Sequence, residues 1–262
     1  MYVKSDDAQI YYDVLGKGQD VVLLHAFPLN SDLWKPVADH LALRYRVTML
    51  DLRGHGRSET GDGDATMTRH VNDVVRVCKE VGIGRAYVAG VSIGGYILFE
   101  LWRQHPEKVA ALALCNTRAT SDTPEGKATR LKSAEDVLQR GPEPFCESMV
   151  PKLLGESTLR NRQDLVAAVR QMMRSATAKG IAAVQRGMAE RPDSVPTLTT
   201  INVPTLIIAG DEDTLTPLPD AQQMHAHIKG STIQVIPQAG HLSVHEKAQD
   251  AVRILRGFFD RL

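Results

Sequence analysis

The sequence is short of several things, and each shortage excludes a class of function. Aromatic residues make up only 5% of the 262. Base-stacking platforms of the kind that bind single-stranded nucleic acid are therefore not expected. No sign of charge predominates: 31 Lys and Arg balance 31 Asp and Glu. A chain with zero net charge has no electrostatic footprint for nucleic acid or an anionic membrane. There are three cysteines, Cys78, Cys115 and Cys146, widely spaced and without a C-x-x-C pair. An odd count at such spacings reads as reduced thiols in a cytoplasm, not a disulfide framework or thiolate metal site. Residues Met1 to Asp13 carry Lys4, Asp6, Asp7 and Asp13 and no apolar stretch, so no secretory signal is expected. Long hydrophobic runs are absent too. The most apolar one, Ala86 to Phe99, contains three glycines and is too short to span a bilayer.

What is present is a strand–helix rhythm. Strands are expected at Gln9–Leu15, Val21–His25, Arg46–Leu50, Ala86–Gly90 and Val109–Leu114. Helices are expected at Asp32–Leu43, Thr68–Val81 and Ile93–Gln104, the last stopped by Pro106. In Thr68–Val81 the residues Val71, Val74, Val75 and Cys78 follow the i, i+3, i+4, i+7 spacing of an amphipathic helix. From Arg118 to Leu198 no buried strand is legible, and prolines break the segment into short helices. The rhythm then returns with a strand at Pro204–Ala209, a helix at Leu218–Ile228, a strand at Thr232–Ile236 and a helix at Ser243–Asp260. Alternating βα units imply a mostly parallel sheet with helices on both faces. The organisation expected is an α/β core of residues 1–117 and 199–262 and a helical cap of residues 118–198. Such an insertion lies over the carboxyl ends of the strands, where open α/β sheets bind ligands.

Gly90-Val91-Ser92-Ile93-Gly94 reads G-x-S-x-G, between an apolar strand and an apolar helix. That turn forces the serine into a strained backbone conformation, and the small flanking residues let the chains approach. Ser92 is the candidate nucleophile. A serine hydroxyl needs a base, and the base a carboxylate to orient it. In chain order Ser, acid, His, the base is His241, which precedes the last helix. His245, one turn further on, is expected at the solvent or cap side. His225 and His227 are two apart on a surface helix, so they face apart and do not suggest a metal pair. The acid is sought in Asp211-Glu212-Asp213, where not every carboxylate serves and some must hold turns. Asp213 is preferred, with Asp211 the competitor.

Taken together, His25-Ala26-Phe27-Pro28, Asp51 to Ser58, the Ser92 turn, Gly210 to Pro217 and Ala239-Gly240-His241 resemble the α/β-hydrolase superfamily. The likeness is to the branch of small bacterial carboxylesterases and enol-lactonases with a helical cap. It covers essentially the whole chain. The family pattern sets the acid three residues after Gly210, which is Asp213. It implies an oxyanion hole made by the backbone N–H groups of Phe27 and Ile93. The usual H-G-[FW]-P is altered here at Ala26, where the family's glycine supplies conformational freedom. His25 is read as a structural support for that loop, and Asp51–Ser58 as a structural turn with buried polar bonds. Gly61 to Asp64 has the outline of a calcium loop but lacks the downstream glutamate.

The resemblance implies a serine hydrolase acting on carboxylic esters of small to medium size, with no cofactor and no metal. Lactone hydrolysis, C–C hydrolysis and perhydrolysis use the same triad and stay open. A non-catalytic binding protein on the same fold is the remaining alternative. An Asp nucleophile, as in dehalogenases and epoxide hydrolases of this fold, is excluded by Ser92. Trp34, shortly after the oxyanion loop, is a candidate lining residue of the acyl pocket. The cap holds 13 Lys and Arg against 10 Asp and Glu, an excess read as a solvated face. The expected partner is a small molecule; oligomeric state is not legible.

Overall fold

The computed structural model describes all residues, 1–262. Eight strands form one sheet in the order β1-β2-β4-β3-β5-β6-β7-β8. β1 (Tyr2–Ser5) and β2 (Ala8–Leu15) make a hairpin, with Asp6 at φ 53° in its turn. β3 (Gln19–Leu24), β4 (Tyr45–Leu50), β5 (Ala86–Val91), β6 (Val109–Cys115), β7 (Thr205–Gly210) and β8 (Thr232–Ile236) all run parallel. Only β2 runs against them; β1, antiparallel to β2, points the same way as the rest. The strand order reverses at β3, which lies between β4 and β5. The crevice beyond the carboxyl ends of β3 and β5 is therefore the switch point at which such sheets take ligands. β3 is buried on both faces from Val21 to Leu24, as its unbroken apolar run requires.

Helices cover both faces. α1 (Lys35–Leu41) is preceded by a separate 3-10 turn, Ser31–Trp34. The single helix expected over 32–43 is thus two pieces. Asn30 caps the first by accepting from the Asp32 amide at 3.0 Å, and Pro36 opens the second. α2 (Met67–Glu80) starts at Thr66, whose hydroxyl caps the Arg69 amide. Its inner face holds Val71, Val74 and Cys78 as expected, while Val77, His70 and Asp73 are buried in place of Val75. α3 (Ile93–Gln104) follows β5 directly.

Between β6 and β7 the chain is helical throughout: α4 (Pro124–Arg140), α5 (Pro142–Leu153), α6 (Glu156–Asn161), α7 (Gln163–Met173), α8 (Ala178–Ala189) and α9 (Val195–Leu198). α4 packs along α8. α10 (Leu218–His227) returns the chain to the sheet, and α11 (Ser243–Glu246) and α12 (Ala248–Phe259) end it. The expected helix over 243–260 is split because Lys247 leaves helical geometry at φ −125°, ψ 54°. No helix is long and apolar enough to cross a membrane.

The loop after β4 is held by charges under the site. Arg53 donates to Asp73 in a bidentate pair at 2.9 and 2.7 Å, to Asp7 at 2.6 Å and to the Ser5 carbonyl at 3.1 Å. This guanidinium is almost fully buried and joins the β1–β2 hairpin, the loop and α2. Asp51 accepts from Ser31 and Arg57, tying the loop after β4 to the loop after β3. Gly61 to Asp64 is tied down by protein donors and acceptors: the Asp62 amide donates to Asp7 and Arg69 donates to the Asp62 carbonyl. Removing one member of a buried pair leaves the other charge without compensation. Arg53→Met is expected to destabilise the fold by about 3–5 kcal/mol, read as a lowered urea midpoint.

Candidate active site

Ser92 lies at the turn from β5 to α3 at φ 57°, ψ −114°, a region that non-glycine residues rarely adopt. The glycines around it are required by contact. A Cβ on Gly90 would meet the Gly94 backbone at 2.5 Å, and one on Gly94 would meet the Leu24 carbonyl oxygen at 2.7 Å. Strand β3, strand β5 and the start of α3 therefore touch backbone to backbone, and the serine is pushed up above them. Thr117 donates to the Ser92 carbonyl at 2.8 Å and steadies the turn.

Two amides flank this serine. The N–H groups of Ile93 and Phe27 make no hydrogen bond to any protein acceptor, although both residues are buried. Buried backbone donors are rarely left unpaired. Ile93 is the first residue of α3, so its amide also carries the positive end of the helix dipole. Phe27 is set by the loop His25–Pro28. Ala26 keeps a negative φ, so its methyl group costs no backbone strain, and its carbonyl accepts from Leu29. His25 Nε2 accepts the Leu52 amide at 2.8 Å, which leaves Nδ1 as donor to the Ala26 carbonyl at 2.9 Å. Burial lowers the His25 pKa, so the ring is neutral and structural. Burial and the neighbouring His25 push His55 down to about 3. Its ring packs edge-on against Phe27, with centroids 5.5 Å apart.

His241 and Asp213 come together from the ends of β8 and β7. His241 Nδ1 lies 2.9 Å from Asp213 Oδ2, and its Nε2 is left without a protein partner. Asp213 also accepts from the Leu215 and Thr216 amides at 2.8 and 3.0 Å, from the Thr216 hydroxyl at 2.7 Å and from Asn116 Nδ2 at 2.9 Å. Burial works against its charge. The His241 ring and the Thr216 donors outweigh that and hold the carboxyl well below the usual range. A carboxylate so fixed as an acceptor selects the imidazole tautomer with hydrogen on Nδ1 and the free lone pair on Nε2.

The neighbouring carboxylates have other partners. Asp211 accepts the Ala239 amide at 3.4 Å, and Glu212 accepts the Ser157 amide at 2.8 Å at the start of α6. Glu246 is buried and accepts two amides at 2.9 Å, Gly240 beside His241 and Gly155 in the helical segment. Burial raises its pKa. Asn116, Thr216, Ser243 and Glu246 were not legible as site residues. A lone Asn at a strand end or a Glu on a terminal helix has no motif. Only the fold brings them to Asp213 and the His241 loop.

Ser92 and His241 open into a cavity of about 360 Å³. Phe27 and Phe145 form one wall, their rings 5.6 Å apart, and Tyr96, Met149, Met188 and Leu215 add apolar surface. The rest is polar. Arg118, Arg130, Lys152 and Gln185 face the space. Three expectations are corrected here. Trp34 does not line the cavity: it is fully buried, and its Nε1 donates to the Leu24 carbonyl at 2.9 Å, which makes it a core residue. His245 does not face solvent: it is buried with Nδ1 at 3.0 Å from the Leu33 carbonyl oxygen. The positive excess of the helical segment is not wholly a solvated face either, since three of its cations reach this cavity.

A family profile described as the alpha/beta hydrolase fold matches residues 21–248. The chain belongs to this family. Among solved structures, this alpha/beta hydrolase is similar to a thermophilic esterase from Thermogutta terrifontis, determined with malate bound. The likeness has a TM-score of 0.97 at 36% identity and covers 100% of this chain and 98% of the other. In sequence it is 28% identical to 3-oxoadipate enol-lactonase 1 of Acinetobacter baylyi, over 91% of this chain and 87% of that enzyme. It is 26% identical to a pimeloyl-[acyl-carrier protein] methyl ester esterase of Nitrosomonas europaea, over 89% and 93%. This alpha/beta hydrolase is thus kin to enzymes that cleave esters and lactones.

The lowered Asp213 pKa makes a stability prediction. Its contribution is complete above the unfolded value of about 3.9 and is lost as pH falls through the native value. Asp213→Asn should therefore lower the urea midpoint at pH 7, and the gap from wild type should close as the pH is taken down toward about 2. A gap that widens in acid would contradict the assignment.

Proposed function

We propose that this hydrolase cleaves carboxylic esters and lactones of small to medium size through an acyl-enzyme on Ser92. The observation that carries this is the pairing of a strained serine with two unbonded amides, in the same cavity as a histidine held by an aspartate. Ser92 Oγ attacks the carbonyl carbon while His241 Nε2 takes its proton. Asp213 keeps Nδ1–H in place and stabilises the imidazolium. The Phe27 and Ile93 amides donate to the oxyanion, each worth about a hundred- to a thousandfold in rate. The imidazolium then protonates the leaving oxygen. From an ester an alcohol departs; from a lactone the new hydroxyl stays tethered to the acyl group. Water, deprotonated by His241, attacks the acyl-enzyme and frees the acid.

The cavity volume of about 360 Å³ lies at the small end for ligand sites, roughly 300–1,000 Å³. It favours compact acyl groups over long chains. The relatives named for ester and enol-lactone hydrolysis support both substrate types. The three cysteines are free and buried, which supports a reducing compartment, the cytoplasm.

A small fluorophosphonate is expected to add once, on Ser92, by intact mass and peptide mapping. Ser92→Ala should take no adduct and lose at least about a thousandfold in kcat on p-nitrophenyl acetate while keeping the wild-type melting profile. Turnover retained in that variant would refute the mechanism.

A further inference from the structure

The cations around the cavity are not alike. Asp122 accepts from Arg130 Nε at 2.5 Å and from Arg191 at 2.5 and 3.0 Å, so one carboxylate answers two guanidiniums. Arg191 also lies over the Tyr96 ring, 4.3 Å from its centroid. Arg118 has no such arrangement. Its Nε is closed off from solvent and has no hydrogen-bond partner, and its guanidinium makes no ion pair. Burial works against its charge; the Tyr96 phenol, by charge and by a hydrogen bond, and the carboxylates of Asp220 and Asp122 favour it, but no carboxylate reaches ion-pair distance. An arginine cannot shed its proton in a protein, and a buried donor without an acceptor costs free energy. Lys152 stands exposed at the same cavity with no carboxylate partner. The cavity wall carries one negative side chain, Asp122, and it is already doubly paired. A neutral, greasy substrate would leave Arg118 unmet. The guanidinium shares its cavity with Ser92 and His241.

We propose that the substrate is an ester or lactone bearing a free carboxylate, that Arg118 binds this carboxylate as the specificity-determining residue, and that Lys152 attracts it at the mouth. This rests on the reading of Ser92 as nucleophile. A guanidinium offers a planar fork that matches a carboxylate with two parallel bonds, which an ammonium does not. Substrate binding supplies the acceptor that Nε lacks in the folded chain.

The test compares monomethyl glutarate with its neutral isostere, methyl 5-amino-5-oxopentanoate. Wild type should favour the anion in kcat/KM by about ten- to a hundredfold, the range for a hydrogen bond to a charged group. Added salt should shrink that preference. In Arg118→Met the ratio should collapse toward one, chiefly through KM, and Arg118→Lys should restore part of it. A wild-type ratio at or below one overturns the proposal, as does a loss in Arg118→Met that is equal for both esters. Should Arg118→Met fail to fold, wild type alone decides: competitive inhibition by glutarate well above that by glutaramide supports the site, and equal inhibition overturns it. Failure of Ser92 to take the fluorophosphonate refutes the hydrolase reading separately, and calorimetry with glutarate then still reads the carboxylate site.

Discussion

The close approach of three backbones beneath Ser92 is the constraint on which the rest depends. β3, β5 and α3 meet with no room for a side chain at Gly90 or Gly94. The serine cannot relax without parting them, so strain in one residue is held by the packing of the sheet centre. The same contact sets the direction of the Ile93 amide, because the helix starts immediately after the turn. It also sets the loop after β3, because Leu24 is one of the touching residues. Ser92 and the two amides are thus positioned by one steric fact, at the place where the strand order reverses.

Around this point the polar groups fall into a rigid and an open set. Below the loop after β3, the neutral His25 and the Asp51 and Arg53 networks are bonded inward and have no part facing the cavity. At the Asp213 side, nearly every lone pair of the carboxylate is used, which fixes the ring of His241 before any ligand arrives. The open set is small: His241 Nε2, the amides of Phe27 and Ile93, and Arg118. Groups fixed in advance need no reorganisation during the reaction, which is where most of the electrostatic benefit of such sites arises.

The strand–helix order and the turn at Ser92 were readable because each leaves a local mark, whereas Asp213 was set apart from Asp211 by the family pattern. An apolar run of Val21 to Leu24 has few alternatives to a buried strand, and a glycine-flanked serine between strand and helix has few alternatives to a tight turn. β1 was missed because four residues are too few for a period to show. Trp34 was misplaced for a different reason. Proximity in sequence to the His25–Pro28 loop says nothing about which face of the chain a side chain takes, and its indole N–H found a carbonyl of β3 instead of the cavity. The partners of Asp213 and the lone state of Arg118 are products of long-range contact. No count of charges along residues 118–198 separates an arginine that shares a carboxylate from one that has no ion pair.

Glu246 has a consequence for how such a chain came to be built. Its buried carboxylate bonds one amide of the core, at Gly240, and one of the helical insertion, at Gly155, while Glu212 bonds the insertion again at Ser157. Deleting the helical segment would take one of two amide partners from a buried carboxylate directly behind the His241 loop. The helical segment is therefore not a detachable module. Removing or exchanging it in this chain calls for compensating changes at positions 212 and 246, whose carboxylates bond its backbone.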